Sequence, residues 1–242
     1  MICGAYQRHK RQVALGNAQA NVGGYVSPST MFSMLISGYG VSLQIFFLTL
    51  IGAVPLGALV ALGRLSHVKP LAWLMSVYIS LMRGTPLMLQ MFAVFFAPYY
   101  VFGIQTGPSY MMVAVMIAFI VNYAAYFAEI YRSGIQSMPK GQYEAAEVLG
   151  YSHAQTFFRI IFPQVIKHIL PAMGNEIVTL VKDTSLAFSI GVAEMFTTGR
   201  ALVASQRTML PFVIAAGIYW VTCLLIEWVL RREEKKLSYY HD

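Results

Sequence analysis

Arg83 in "MRGTPLMLQ", and Asp183 and Glu194 in "LVKDTSLAFSIGVAEMF", where Lys182 adds a further charge, stand inside stretches that are mostly apolar. A charge held at mid-membrane depth costs about 2.5 to 3.5 kcal/mol on insertion scales, so such residues are functional suspects by default. The guanidinium offers a planar fork of donors to a carboxylate. It stands beside Gly84 and Thr85, whose backbone amides are freed if the helix breaks there. An acid on the later stretch suits an ammonium, with Ser185 and Thr184 as secondary polar groups. Together this set could hold a zwitterion. Asp183 and Glu194 are eleven residues apart, which places them on one helix face but about 16 Å apart along the axis. One ammonium therefore reaches both only if the helix breaks near Gly191. A simple pairing of Arg83 with Asp183 or Glu194 to hold the bundle together carries nearly equal weight.

A second constellation has a mechanical character. "EAAEVLGYSHAQTFFRIIFPQ", Glu144 to Gln164, is polar and helix-forming between apolar neighbours. Ala145, Ala146 and Leu149 make a short amphipathic turn, and Gly150 ends it as a C-terminal glycine does. Ser152 is a competent N-cap for a second short helix that runs to Phe162, just before Pro163. The expected result is a two-helix hairpin with an elbow, too short and too polar to cross lipid, presented at the membrane surface as a fixed knob.

The elements that must position these groups are membrane helices. Apolar residues make up 57% of the 242 and charged residues only 11%, against about 25% charged in soluble domains. A span needs roughly 20 mostly apolar residues, and five stretches qualify: about Ser37 to Leu62, Leu71 to Val101, Ser109 to Tyr131, Pro171 to Ala193 and Pro211 to Leu230. In the first, Ala53, Gly57 and Ala61 form a small-residue seam for close helix approach. The second is too long for one straight crossing. Pro86 removes a backbone donor and pushes Thr85 toward an extended conformation, so the helix should kink or break near Arg83. Broken helices at this depth are tolerated only where protein or a water-filled cavity covers the freed backbone. In the third, Asn122 and Glu129 share a face, and Glu129 can pair with Arg132 at i,i+3. Glu227 and Arg231 make a similar i,i+4 pair near the end of the fifth, and Glu176 reads as interfacial.

Residues 1–34 read as a flexible tail with no apolar core of a signal peptide, and 233–242 as a second tail. Cys3 and Cys223 are too far apart in sequence and environment to suggest a disulfide. The lysines and arginines flanking the spans place the C-terminus and the hairpin in the cytoplasm and the N-terminus outside. They follow the membrane flanks instead of one face, which argues against nucleic acid as a partner despite the net charge of +7. The histidines are scattered without ligand spacing, so no metal site is expected. With no G-x-x-x-x-G-K-[ST] loop the chain should not hydrolyse ATP itself, and no catalytic constellation marks it as an enzyme.

On the spacing of Glu144, Ala145, Ala146, Gly150, Ile160 and Pro163 the sequence resembles the permease subunits of binding-protein-dependent ABC importers, whose cytoplasmic signature is EAA, three residues, Gly, nine residues, then I-x-L-P. Phe162 replaces the usual Leu. The segments "RGTPLMLQ", "NYAAYFAEIYRSGI", "MPKGQYEAAEVLG" and "LVKDTSLAFSIGVAEMF" look like the polar amino acid branch of that family. The resemblance implies an all-α integral membrane fold of about five transmembrane helices. Residues 35–232 would form the permease domain, with the coupling loop at about 139–170. It implies a second permease subunit, identical or a sister chain, two cytoplasmic ATPase subunits that hold ATP and Mg, an external solute-binding protein and a polar amino acid as substrate. The hairpin would dock in a groove of the ATPase, and the setting is the bacterial inner membrane. The rival reading is an ion-coupled secondary carrier that uses Asp183 and Glu194 as a relay.

Overall fold

The computed structural model describes residues 26–237, all of whose regular structure is helical. Helix α1 runs Pro28–Arg64, α2 Lys69–Gly84, α3 Leu87–Phe102, α4 Pro108–Gln136 and α5 Lys140–Val148. One turn at His153–Gln155 and a π-helical stretch, Thr156–Ile161, then lead into α6, Phe162–Asp183. A 3₁₀ run at Thr184–Ile190 precedes α7, Met195–Gln206, and α8, Leu210–Leu237. Three helices, α1, α4 and α8, are each long and apolar enough to span a membrane. Two bent pairs raise the total to five if each counts as one span: α2 with α3, bent by 108°, and the His153–Ile190 run with α7, bent by 60°.

Several boundaries differ from the sequence expectation. The tail expected over 1–34 gives way to helix at Pro28, where the Ser27 hydroxyl accepts the Thr30 N–H at 3.3 Å, and Met31 is already fully buried. Residues 1–25, with Cys3 and the basic patch, and 238–242 lie outside the described residues. At the other end α8 carries on to Leu237. The largest correction concerns the second arm of the hairpin. It does not stop at Pro163, and the helix that carries the fourth span starts before Pro171, because α6 contains both prolines. Pro163 normally clashes with the carbonyl four residues before it and lacks a donor for it. Here that carbonyl belongs to Arg159, inside the π-helical stretch, where the wider turn relieves the clash.

Contacts divide the chain into two compact units: residues 26–50, 87–119 and 179–224 in one, and Ile51–Pro86, Ile120–Val178 and the start of the C-terminal segment in the other. The core of the first is Met31, Leu35, Met195, Leu202 and Ala215. Its Gly38 lets α1 pass within contact of α7, since a Cβ there would sit 2.9 Å from Met195 Cα. The second unit has two clusters, one of Val60, Ala61, Ile79, Ala125 and Ala128, the other of Met138, Ile161, Val165 and Ile169. The seam read from the sequence is real within it. Ala53 and Ala61 are buried, and a Cβ on Gly57 would meet Phe127 Cβ at 2.8 Å and the Ala124 carbonyl at 2.9 Å. Outward-facing Phe47, Ile51, Trp73 and Trp220 stay exposed, which suits a surface covered by lipid rather than water.

Candidate functional site

Arg83 occupies the last turn of α2, one residue before that helix ends at Gly84. Thr85 is extended (φ −122°, ψ 145°), and after Pro86 the chain restarts as α3. At the break, side chains donate to two carbonyls near the end of α2. The Thr85 hydroxyl donates to the Leu81 carbonyl at 2.8 Å. The Met82 carbonyl faces the proline, which has no N–H, and the Asn122 side-chain amide of α4 donates to it at 3.0 Å. Asn122, buried on α4, is thus part of the elbow.

The guanidinium of Arg83 lies 5.4 Å above the Tyr126 ring and 3.9 Å from the Glu129 carboxylate. Glu129 is held more closely by Arg132 on its own helix, whose Nε donates to it at 3.0 Å; Arg132 also donates to Gln136. Arg83 thus has an ion-pair partner in Glu129, a residue the sequence reading had paired with Arg132 alone.

The surface around Arg83 is concave. A cleft of ≈ 330 Å³ is lined by Arg83, Tyr126 and Glu129, by Ser133 and Ser137 of α4, and by His168 and Glu176 of α6. Sequence reasoning missed Ser133, Ser137 and His168 and read Glu176 as interfacial. The signal was present as spacing: Glu129, Ser133 and Ser137 recur every four residues, as do His168, Ala172 and Glu176, and each set forms one helix stripe.

The other candidates lie in the first unit. Asp183 ends α6, and Ser185 is the second residue of the 3₁₀ run, its hydroxyl donating to the Lys182 carbonyl at 2.8 Å. The Thr184 hydroxyl donates to Val181 O at 2.7 Å. Gly191 takes φ +85°, a left-handed conformation open to glycine at little cost, and there the helix breaks. Glu194 follows as the N-cap of α7 and is fully buried. Its carboxylate accepts the amides of Phe196 (2.7 Å) and Thr197 (2.6 Å) and the Ser42 hydroxyl (3.3 Å). A carboxylate so occupied caps a helix terminus, a role the sequence reading did not give Glu194.

The hairpin is built as its residues suggest. Gly150 has φ +76°, and its N–H reaches back to Glu147 O at 2.9 Å. Ser152 caps the second arm in a full capping box with Gln155. Ala146 and Ile161 are buried, whereas Val148 is 88% exposed, Leu149 73% and Phe158 65%. Glu144, Ala145 and Gly150 are exposed too, with Ile160 half-buried and Pro163 exposed. Behind the hairpin the Met138 cluster joins the end of α4 to the start of α6, and Gly134 lets the two helices touch: a Cβ there would lie 2.2 Å from Ile169.

Known proteins share the sequence pattern and the fold of this chain. Residues 53–239 match the family model described as the binding-protein-dependent transport system inner membrane component. The L-cystine transport system permease protein TcyB of Bacillus subtilis (strain 168) is 37% identical, over 87% of this chain and 89% of that one. The arginine transport system permease protein ArtQ of the same organism is 33% identical, over 84% and 92%. A crystal structure described as an amino acid ABC transporter with histidines superposes with a TM-score of 0.78 at 33% identity, covering 88% of this chain and all of that one.

Proposed function

The chain belongs to the binding-protein-dependent transport system inner membrane component family, and from that premise we propose that it is the permease subunit of an ATP-driven importer for polar amino acids. Similar chains serve cystine and arginine systems. The observation that carries the coupling role is the hairpin itself. Val148, Leu149 and Phe158 are large apolar side chains left exposed on a rigid, doubly capped elbow, which is the form of a plug for a groove on a separate ATPase. ATP and Mg belong to that partner. A second permease subunit and an external solute-binding protein complete the complex.

In this reading the break at Gly84 and Thr85 opens onto the translocation path. Arg83 receives the substrate carboxylate, while Asp183 and Ser185 line the path farther along the chain. Push on the hairpin passes to α4 and α6 through the Met138 cluster, and from α4 to the elbow through Glu129 and Asn122. The motion is a rigid-body one of packed helices. The test is ATP hydrolysis by the whole complex, stimulated by its binding protein across a panel of amino acids, with Arg83→Ala and Asp183→Ala alongside. Loss of stimulated uptake in both variants supports the path; unchanged uptake for every substrate removes both residues from it.

A further inference from the structure

The hydroxyl of Tyr219, on α8, is buried and has no hydrogen-bond partner among the described residues. A buried polar group in that position has lost its bond to solvent and gained nothing in exchange, so folded chains nearly always satisfy it. Ser42 and Thr184 approach this hydroxyl without hydrogen-bond geometry. Between them lies a cavity of ≈ 10 Å³ that Tyr219 lines together with Tyr39 and Ser42 of α1, Val181 of α6 and Thr184 of the 3₁₀ run, all within the first unit. That is the size at which a cavity admits one water. The protons of the other three hydroxyls are engaged elsewhere. Ser42 donates to Glu194 Oε2 at 3.3 Å and Thr184 to Val181 O at 2.7 Å. Tyr39 lies 2.6 Å from Thr222 Oγ1, and because the Thr222 proton goes to Ile218 O at 2.7 Å, Tyr39 is the donor there. These three hydroxyls therefore offer only lone pairs, whereas Tyr219 still has a proton to give.

We infer that this cavity is a binding site for one ordered water, which accepts the Tyr219 proton and donates its own two to Ser42 and Thr184. Three bonds is the usual number for a buried water. A monovalent cation also seeks lone pairs, but it leaves the Tyr219 proton unused, and no carboxylate lines the cavity to offset its charge. The consequence is mechanical. Through the water Ser42 reaches Thr184, which precedes the break at Gly191, and directly it reaches Glu194, which follows that break. Tyr219 fastens α8 to the same point. The water is thus a clasp that holds both sides of the broken helix against α1 and α8. This inference involves only the chain's own residues and stands whether or not the importer reading does.

Tyr219→Phe separates a hydrated hydroxyl from a dry one by the sign of its effect. Deleting a hydroxyl bonded to the water breaks that bond, so the melting temperature of the full chain in lipid nanodiscs should fall by about 2–4 °C. Deleting a dry, unpaired hydroxyl relieves the chain and raises it. Thr184→Val removes a second partner of the same water and should also lower the melt. Because Tyr219 and Thr184 share no direct bond, the water is what couples them, and the double variant should fall by less than the sum of the two single shifts. A crystal structure of the full chain, at a resolution that shows ordered water, gives the independent readout. It should show a peak within hydrogen-bond reach of Tyr219 Oη, Ser42 Oγ and Thr184 Oγ, unchanged when sodium is replaced by choline. The inference is overturned if Tyr219→Phe melts at or above the unaltered chain, or if the two shifts simply add. It is equally overturned if the peak is missing from a map that shows other buried waters, or if it vanishes with sodium, which marks a cation instead.

Discussion

Truncating the tip of the hairpin separates a docking surface from a merely exposed one. Val148 and Leu149 are 88% and 73% exposed, so Val148→Ala with Leu149→Ala removes little that the chain uses for its own folding. Exposed substitutions of this kind usually change stability by less than about 0.5 kcal/mol. Against a partner groove the same atoms count fully. At about 0.8 kcal/mol for each buried carbon removed, scaled by the fraction still open to solvent, the pair comes to about 3 kcal/mol. That corresponds to roughly a 150-fold loss of affinity for the ATPase. The assay is titration of the permease, held in lipid nanodiscs, with purified ATPase, beside a thermal melt of the permease alone. Weakened association with an unchanged melt is the expected pair of results. Equal affinity, or a melt that falls in step with affinity, refutes the assignment of this tip as the docking surface.

Other perturbations test the parts behind it. Gly150→Val forces a branched side chain into φ +76° and should cost about 1–2 kcal/mol, read as lower ATPase association and a lower melting temperature. Gly57→Ala puts a methyl 2.8 Å from Phe127 Cβ and should lower stability by about 1–3 kcal/mol in a thermal melt. Glu194→Ala uncaps the amides of Phe196 and Thr197 and should cost about 1–2 kcal/mol, with Glu194→Gln closer to the native chain. A carboxylate whose main task is to bind substrate predicts the reverse, a stable protein that fails to transport.

Much of this architecture was legible because single residues dictate local backbone. Pro86 has no N–H to give, so a break after Arg83 followed from covalent structure alone, as did the turn at Gly150 and the cap at Ser152. The seam of Ala53, Gly57 and Ala61 was readable because backbones approach closely only where side chains are small. The fate of Pro163 was not, because a π-helical widening at Thr156–Ile161 depends on burying Thr156 and Ile161, a tertiary matter. The partner of Arg83 was hidden for a similar reason. Glu129 is distant in sequence, its local pair with Arg132 looked complete, and only the fold reveals that one carboxylate serves both. The cap at Glu194 was not legible because a charge in an apolar stretch suggests a ligand, yet a helix start buried next to Ser42 needs an acceptor for its own amides. The cleft wall was written in four-residue spacing on α4 and α6, but its meaning required knowing that these helices face each other.

The central claim is that this chain cannot power transport itself and draws on a separate ATPase through the hairpin. Uptake of a radiolabelled amino acid into proteoliposomes tests it most directly. The full complex with binding protein is compared with the chain alone, each with ATP and each under a proton or sodium gradient without ATP. The account predicts uptake in the ATP-supplied complex only, abolished when the hairpin tip is truncated. Uptake by the chain alone, driven by an ion gradient, contradicts it.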